Sequence, residues 1–131
     1  MPVLDSNIII DYLRGEPSAI QTIQALSDQG SKLKTTLFNY YEIYFGEIAF
    51  EKKSEKIGAT LTFLESLEVL FPTINSMKKS AEIRLELQKI GKTVPPSDLF
   101  IAGITLTQNE TLYTKNIKHF SDIPLIRFET Y

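Results

Sequence analysis

The chain has 131 residues, of which 43% are hydrophobic and 23% are charged, and its formal net charge at pH 7 is −2. This length and composition predict a single globular domain over residues 1–131, with one hydrophobic core. The absence of cysteine excludes disulfides, thiolate nucleophiles and cysteine-based zinc sites, and the single histidine excludes a histidine-rich metal site. Any bound metal is therefore expected to be a hard cation on oxygen ligands, magnesium or manganese before zinc.

The opening MPVLDSNIII has no basic n-region, and no apolar run approaches the length of a membrane span. We therefore expect a cytoplasmic protein without a membrane partner. The sequence pI near 5.4 argues against a protein that binds nucleic acid through its bulk charge.

Short apolar runs alternate along the chain with segments whose apolar residues recur at helical spacing. The patterns predict strands at 2–4, 34–37, 69–71, 111–114 and 125–128, and helices at 7–13, 17–30, 39–50, 57–67, 76–90 and 98–108. A polar break at 51–54 separates the third helix from the fourth. Because each crossover helix covers a face of the sheet, this order predicts an α/β sandwich around a mostly parallel sheet.

Asp5 directly follows the first predicted strand, where the chain leaves the sheet at its carboxyl edge. Ligands of open α/β sheets bind at that edge. The alternative is that Asp5 or Asn7 only caps the helix 7–13. The residue by itself does not separate the two interpretations.

Glu42 falls on the first turn of the predicted helix that follows the strand 34–37, at the same edge of the sheet. It also has a structural interpretation, because Asn39 and Glu42 have the spacing of a capping box, which contributes on the order of 1 kcal/mol. Glu42 is therefore a weaker indicator of a site than its position suggests.

Asp98 follows the stiff loop 95–97 and precedes the apolar run 99–102, so it is expected at the mouth of a buried helix. An acidic residue there could simply favour the helix dipole. Three carboxylates at three helix starts on one edge of a sheet could converge, however. Converging carboxylates repel one another unless they are protonated or bind a cation, most often a divalent one.

Asp5, Glu42 and Asp98 lie in three of four segments that form a recognisable set: 3–15, the positions 36, 39, 42 and 46, then 98–102, and finally 113–120. Together they resemble the VapC toxins of prokaryotic toxin–antitoxin pairs, which are ribonucleases of the PIN-domain type. The resemblance covers the whole chain in the same order, except that Asn39 stands where the family usually has threonine.

The resemblance implies a PIN-like three-layer sandwich and an endoribonuclease that depends on Mg²⁺ or Mn²⁺. It implies catalytic roles for Asp5, Glu42, Asp98 and Asn116. Asp5 and Asp98 are expected to bind the metal, directly or through water, while Glu42 and Asn116 complete the shell and position the attacking water. Asn116 supplies no charge, and His119 replaces a further acid, so one well-bound metal ion is expected. For His119, a hydrogen-bonded surface role is favoured over a catalytic one.

The resemblance also implies an RNA substrate, a cognate antitoxin and a homodimer. Arg14, Lys115 and Lys118 are candidates for holding the RNA backbone, because they lie near the motifs in sequence. The aromatic residues between 38 and 45 either line an interface or belong to the core and the ordinary surface of a helix.

Two other functions remain open from the sequence. Asn116 and the acidic pI are compatible with a catalytically degenerate PIN domain that binds RNA or a protein without cutting. A phosphoacceptor domain also places aspartate at a strand end, but Asp5-Ser6-Asn7 lacks the second carboxylate that phosphatases of that kind use.

Overall fold

The protein is described from a computed structural model, which covers residues 1–50 and 54–131. Most of the predicted break at 51–54 lies outside these residues. The described elements, in chain order, are β1 (Pro2–Leu4), α1 (Ser6–Leu13), α2 (Pro17–Asp28), β2 (Lys34–Thr36), α3 (Leu37–Ala49), α4 (Ser54–Glu65), β3 (Glu68–Leu70), α5 (Ile74–Lys89), α6 (Pro96–Thr107), β4 (Thr111–Tyr113), α7 (Ile117–Phe120) and β5 (Arg127–Glu129).

The strands form one sheet in the order β3-β2-β1-β4-β5, and every pair of neighbours is parallel. This confirms the predicted α/β class with a mostly parallel sheet. β1 lies in the centre, between β2 on one side and β4 on the other. The chain order reverses at β1, and open α/β sheets bind ligands outside the carboxyl ends of the strands at such a point.

Helices cover both faces of the sheet, which confirms the three-layer sandwich. Successive side chains of a strand point to opposite faces. Val3 packs into an apolar cluster with residues of α5, α6 and α7, while Leu4 packs into a second cluster with residues of α1, α2, α3 and α4. The single core expected from the sequence is therefore divided in two by the sheet. No helix in residues 1–50 or 54–131 combines the length and hydrophobicity needed to cross a membrane.

The start of α3 differs from the prediction. Thr36 is the N-cap: its hydroxyl accepts a hydrogen bond from the backbone N–H of Asn39, and Asn39 Oδ1 accepts one from the backbone N–H of Thr36, both at 3.3 Å. The alternative interpretation of Asn39 and Glu42 as a capping box is therefore wrong, and Glu42 lies on the second turn of α3 instead of the first. Thr73 and Ser76 form the same box at α5, which begins at Ile74 instead of residue 76.

Two further differences from the prediction concern very short elements. The four-residue helix α7 was not predicted, and the last strand begins at Arg127, two residues later than expected. Short elements carry too few residues for a periodic pattern to define their ends.

The helix α6, which carries Asp98, packs closely against α5. A Cβ atom added to Gly103 would lie 2.1 Å from Ser80 Oγ and 2.5 Å from the Ser76 carbonyl oxygen. Ser80 Oγ also donates a hydrogen bond of 2.8 Å to the carbonyl oxygen of Leu99. This glycine lets the two helix backbones approach, which fixes the position of the first turn of α6.

Candidate active site

Asp5 lies at the end of the central strand and is only 2% exposed. It is the N-cap of α1, and its Oδ1 accepts a hydrogen bond of 2.8 Å from the Ser6 backbone N–H. The cap is only part of its surroundings. Oδ1 also accepts from Asn39 Nδ2 at 2.8 Å, and Oδ2 accepts from Thr114 Oγ1 at 2.6 Å. Donors from three separate segments therefore hold this carboxylate, which is more than a cap needs.

Asn39 connects α3 to the end of β1 and is fully buried. Its Nδ2 donates to Asp5 Oδ1 and, at 2.9 Å, to Ser6 Oγ. Its Oδ1 accepts from Thr36 Oγ1 at 2.7 Å. The amide orientation follows from chemistry: the backbone N–H of Thr36 can only donate, so the carbonyl end of the amide must face it.

Asp98 lies on the first turn of α6 and is 7% exposed, so the structure brings it to the buried region that the sequence predicted. Its Oδ2 contacts Nδ1 of His119, which lies on α7. His119 is therefore hydrogen-bonded as expected, but its partner is a site carboxylate and it is only partly exposed. Burial and the charge of Asp5 raise the pKa of Asp98, and His119 opposes that rise.

Glu42 faces the same region from the second turn of α3, three residues beyond Asn39 and on the same side of the helix. Much of its side chain is open to solvent. Partial burial of the carboxyl group, followed by the charges of Asp5 and Asp98, nevertheless raises the pKa of Glu42 to about 7. The structure thus brings the three predicted carboxylates close enough to influence one another electrostatically.

Asn116 is the N-cap of α7 and is exposed. Its backbone N–H donates a 3.0 Å hydrogen bond to Thr114 Oγ1, the same hydroxyl that donates to Asp5. Asn116 is thereby linked to the site through one intervening residue.

The sequence interpretation gave no role to Thr114 or Ser6, although both contact the Asp5 network. Thr114 directly follows β4, and β4 is the parallel neighbour of β1. The signal that the sequence offered for Thr114 was its position directly after a buried strand. That position indicates a contact with Asp5 only once β4 is known to be the neighbour of β1.

The three predicted RNA-binding residues are exposed but differ in their surroundings. Lys115 Nζ donates to Asp11 Oδ2 at 2.9 Å and lies 4.6 Å from the ring centroid of Tyr131. Tyr131 Oη donates to the same Asp11 oxygen at 2.6 Å, and this bond, with that of Lys115, lowers the pKa of Asp11. Lys115 is therefore part of a local cluster.

Arg14 and Lys118 belong to different helices. Arg14 is the C-cap of α1, at the end of that helix opposite Asp5, where it lines a pocket of about 430 Å³ together with Lys56. Lys118 lies on α7 beside His119. The structure thus separates Arg14 from the carboxylates, whereas Lys115 and Lys118 belong to the segment that follows β4.

The donor chemistry of the site fits a hard cation, because its side chains offer carboxylate and amide oxygens. Among the described residues, no three acidic or histidine side chains are gathered tightly enough to form a metal cluster as they stand. Mg²⁺ is commonly held by one or two carboxylates with several waters. Asp5 and Asp98 could therefore hold such a cation together with water, and Glu42 would add negative charge beside it.

Comparison with known proteins identifies the family of the chain. The PIN domain family model matches residues 3–124. Ribonuclease VapC2 of Rickettsia felis is 26% identical over 129 residues, covering 98% of this chain and 96% of the relative. The tRNA(fMet)-specific endonuclease VapC of Salmonella typhimurium is also 26% identical over 129 residues, with the same coverage.

Solved structures agree with these sequence relatives. The chain superposes on a chain of VapBC2 from Rickettsia felis, bound to a DNA fragment from its promoter, with a TM-score of 0.87 and 27% identity, covering 99% of this chain and 98% of that one. DNA-bound VapBC from Salmonella typhimurium gives a TM-score of 0.84 at 26% identity, covering 98% and 96%. Because the PIN domain family model matches residues 3–124, which is nearly the whole length, the chain belongs to the PIN-domain family.

Proposed function

We propose that this protein is a magnesium- or manganese-dependent endoribonuclease that acts as the toxin of a toxin–antitoxin pair. One observation carries the proposal: Asp5, Glu42 and Asp98 lie together at the carboxyl edge of the sheet, where burial, followed by the charges of Asp5 and Asp98, raises the pKa of Glu42 to about 7. Mutual repulsion of this kind is relieved by a divalent cation. Its relatives include a ribonuclease and a tRNA endonuclease, which supports RNA as the substrate.

The side chains of the site have different roles. Asp5 and Asp98 hold the cation, and the donors around Asp5 keep its carboxylate oriented. Glu42 and Asn116 position the water that attacks the scissile phosphate. When bound, the cation lowers the pKa of that water and offsets the charge that develops on the phosphate. No side chain becomes a covalent nucleophile.

The basic residues of the segment after β4 contact the substrate. Lys118 is exposed and precedes His119, which contacts Asp98, and this supports a contact between Lys118 and an RNA phosphate near the carboxylates. Lys115 can hold an RNA phosphate only when its contact with Asp11 breaks. Arg14, at the far end of α1, contacts RNA outside the cleavage site. We place this activity in the cytoplasm, where the RNA substrate is found.

The partners are a cognate antitoxin and a second copy of the chain. The structural relatives are toxin–antitoxin complexes, which supports the antitoxin. An open apolar pocket of about 670 Å³ on α3 supports an interface; it is lined by Leu37, Phe38, Tyr40, Tyr41, Tyr44, Phe45 and Ile48. Large exposed apolar patches of this kind mark interaction surfaces. We assign this surface to the homodimer.

The test is RNA cleavage by the purified chain with added Mg²⁺ or Mn²⁺, with EDTA, and with single substitutions. Asp5→Asn and Asp98→Asn are each expected to abolish metal-dependent cleavage. Asp28→Asn is the matched control, because Asp28 is an exposed carboxylate on α2 whose contact is with Gln24 of the same helix. It removes the same charge without touching the site.

The outcomes separate the proposal from its alternative. Full cleavage by Asp5→Asn or Asp98→Asn, or cleavage that is unaffected by EDTA, contradicts the proposed mechanism. RNA binding without cleavage under every metal condition indicates the catalytically degenerate PIN domain instead.

A further inference from the structure

The carboxamide of Asn39 has contacts that extend beyond the cap of its helix. A capping box requires only that its third residue accept from the N-cap backbone N–H. Asn39 does this with Oδ1 and uses Nδ2 for Asp5 Oδ1 at 2.8 Å and Ser6 Oγ at 2.9 Å. The second end of the amide therefore serves the strand end of β1, which is 34 positions away in sequence.

The capping box of α5 provides an internal comparison. There Ser76 occupies the third position, and its Oγ accepts from the Thr73 backbone N–H at 2.8 Å. A serine is thus sufficient to cap a helix of this chain. The nitrogen of Asn39 is not needed for capping, so the contact with Asp5 is a separate task.

The burial of Asn39 makes this contact rigid. The residue is 0% exposed, and both polar ends of its side chain have partners. Thr36 fixes the oxygen end, so the amide cannot turn away from Asp5 without leaving two buried groups unpaired. Because Asn39 sits on the first turn of α3 and Glu42 follows it by one turn, the same contact also sets the distance between Glu42 and Asp5.

We propose that Asn39 is a positioning residue, whose carboxamide orients the Asp5 carboxylate for a divalent cation before that cation binds. This inference rests on the proposed function of the site as a metal centre. It goes beyond that function in assigning cation affinity to a residue that does not itself bind the cation. Partners that orient metal ligands commonly change metal affinity by about 10-fold to 100-fold when they are substituted.

The experiment measures the affinity of the full chain for Mn²⁺ alone, through the loss of the electron paramagnetic resonance signal of free Mn²⁺. Asn39→Ser keeps a hydroxyl for the cap, as Ser76 does on α5, and removes the donor to Asp5. We expect its Mn²⁺ affinity to fall by about 10-fold to 100-fold. Asn39→Ala removes the donor together with the cap acceptor, and its affinity is expected to fall at least as far.

The matched control is Thr73→Val, which removes the cap hydrogen bond of α5. It is expected to lower the melting temperature and to leave Mn²⁺ affinity unchanged. Wild-type affinity in folded Asn39→Ser and Asn39→Ala overturns the inference. So does an equal loss of affinity in Thr73→Val, because the effect would then be a general loosening of the fold.

Metal affinity and RNA cleavage are scored separately, so the two proposals can fail separately. If wild type binds Mn²⁺, depends on Asn39 for that binding and cleaves no RNA, the inference stands and the nuclease assignment falls. If cleavage depends on metal but Asn39→Ser matches wild type in both assays, only the inference falls. A wild-type chain that binds no Mn²⁺ overturns the inference.

Discussion

Thr114 Oγ1 donates a hydrogen bond of 2.6 Å to Asp5 Oδ2 across 109 positions of sequence. The contact joins the ends of two neighbouring parallel strands, β1 and β4. The same hydroxyl accepts from the Asn116 backbone N–H at 3.0 Å. One threonine thus connects the carboxylate at the centre of the site to the segment that carries Asn116.

Thr114→Val is expected to lower RNA cleavage by about 10-fold to 100-fold, because Asp5 loses one of the donors that orient it. The unpaired buried groups also lower the free energy of unfolding by about 1–3 kcal/mol. The control is Thr105→Val, since Thr105 is a buried threonine whose hydroxyl donates to Ile101 within α6. Rates and denaturant unfolding are measured for both variants, and equal cleavage by both would contradict the role of Thr114.

Glu42→Gln is expected to change how the stability of the metal-free protein depends on pH. The pKa of Glu42 is raised from 4.5 to about 7 in the folded protein, chiefly by burial and then by Asp5 and Asp98. Between these values the folded state binds more protons than the unfolded state, so the free energy of unfolding falls as pH rises through this window. Glutamine removes the titrating group and therefore this part of the fall.

The measurement is the melting temperature in EDTA between about pH 5 and pH 8. The difference between Glu42→Gln and wild type is expected to grow in favour of the variant as pH rises. Glu65→Gln, which changes an exposed carboxylate at the end of α4, is the control. If the melting temperatures of wild type and Glu42→Gln changed with pH in parallel, Glu42 would not titrate in this window.

Gly103→Ala is expected to destabilise the fold by about 1–3 kcal/mol, because the added methyl group overpacks the contact between α5 and α6. The new Cβ would approach a backbone carbonyl oxygen to 2.5 Å, which a side-chain rotation cannot relieve.

Gly58→Ala is expected to have the opposite effect, because nothing lies within 4 Å of its added Cβ. It is expected to stabilise α4 by up to about 1 kcal/mol. Denaturant unfolding of the two variants tests the pair, and equal stabilities would refute the close approach.

Phe45→Glu is expected to convert the proposed homodimer to a monomer, because it places a charge in the apolar surface of α3. Phe45 is 58% exposed, and Phe71, beyond the end of β3, is 62% exposed. Phe71→Glu is therefore a control with the same chemistry outside that surface. Light scattering coupled to size-exclusion chromatography gives the mass of each. A dimer that persists in Phe45→Glu would show that the interface lies outside this surface. A monomeric wild type would contradict the proposed homodimer.

Local patterns were sufficient for most of the secondary structure. The apolar run before Asp5 and the helical spacing of the apolar residues after Asp98 identified β1 and α6, because periodicity depends only on which face of an element is buried. The predicted start of α3 was wrong, and the reason was also local. Thr36 and Asn39 form a capping box without the glutamate or glutamine that its usual signature contains.

What the sequence determined by itself was the set of acidic residues that form the candidate site. It places Asp5 after a buried strand and Asp98 at a helix start, with no cysteine and one histidine to compete for a metal. The tertiary structure alone decided which polar groups complete that site. Thr114 and Asn39 reach Asp5 only because the sheet order sets β1 between β2 and β4. His119 reaches Asp98 because α7 packs against α6. Parallel crossovers bring segments together that are far apart in sequence, and no local pattern specifies which strands become neighbours.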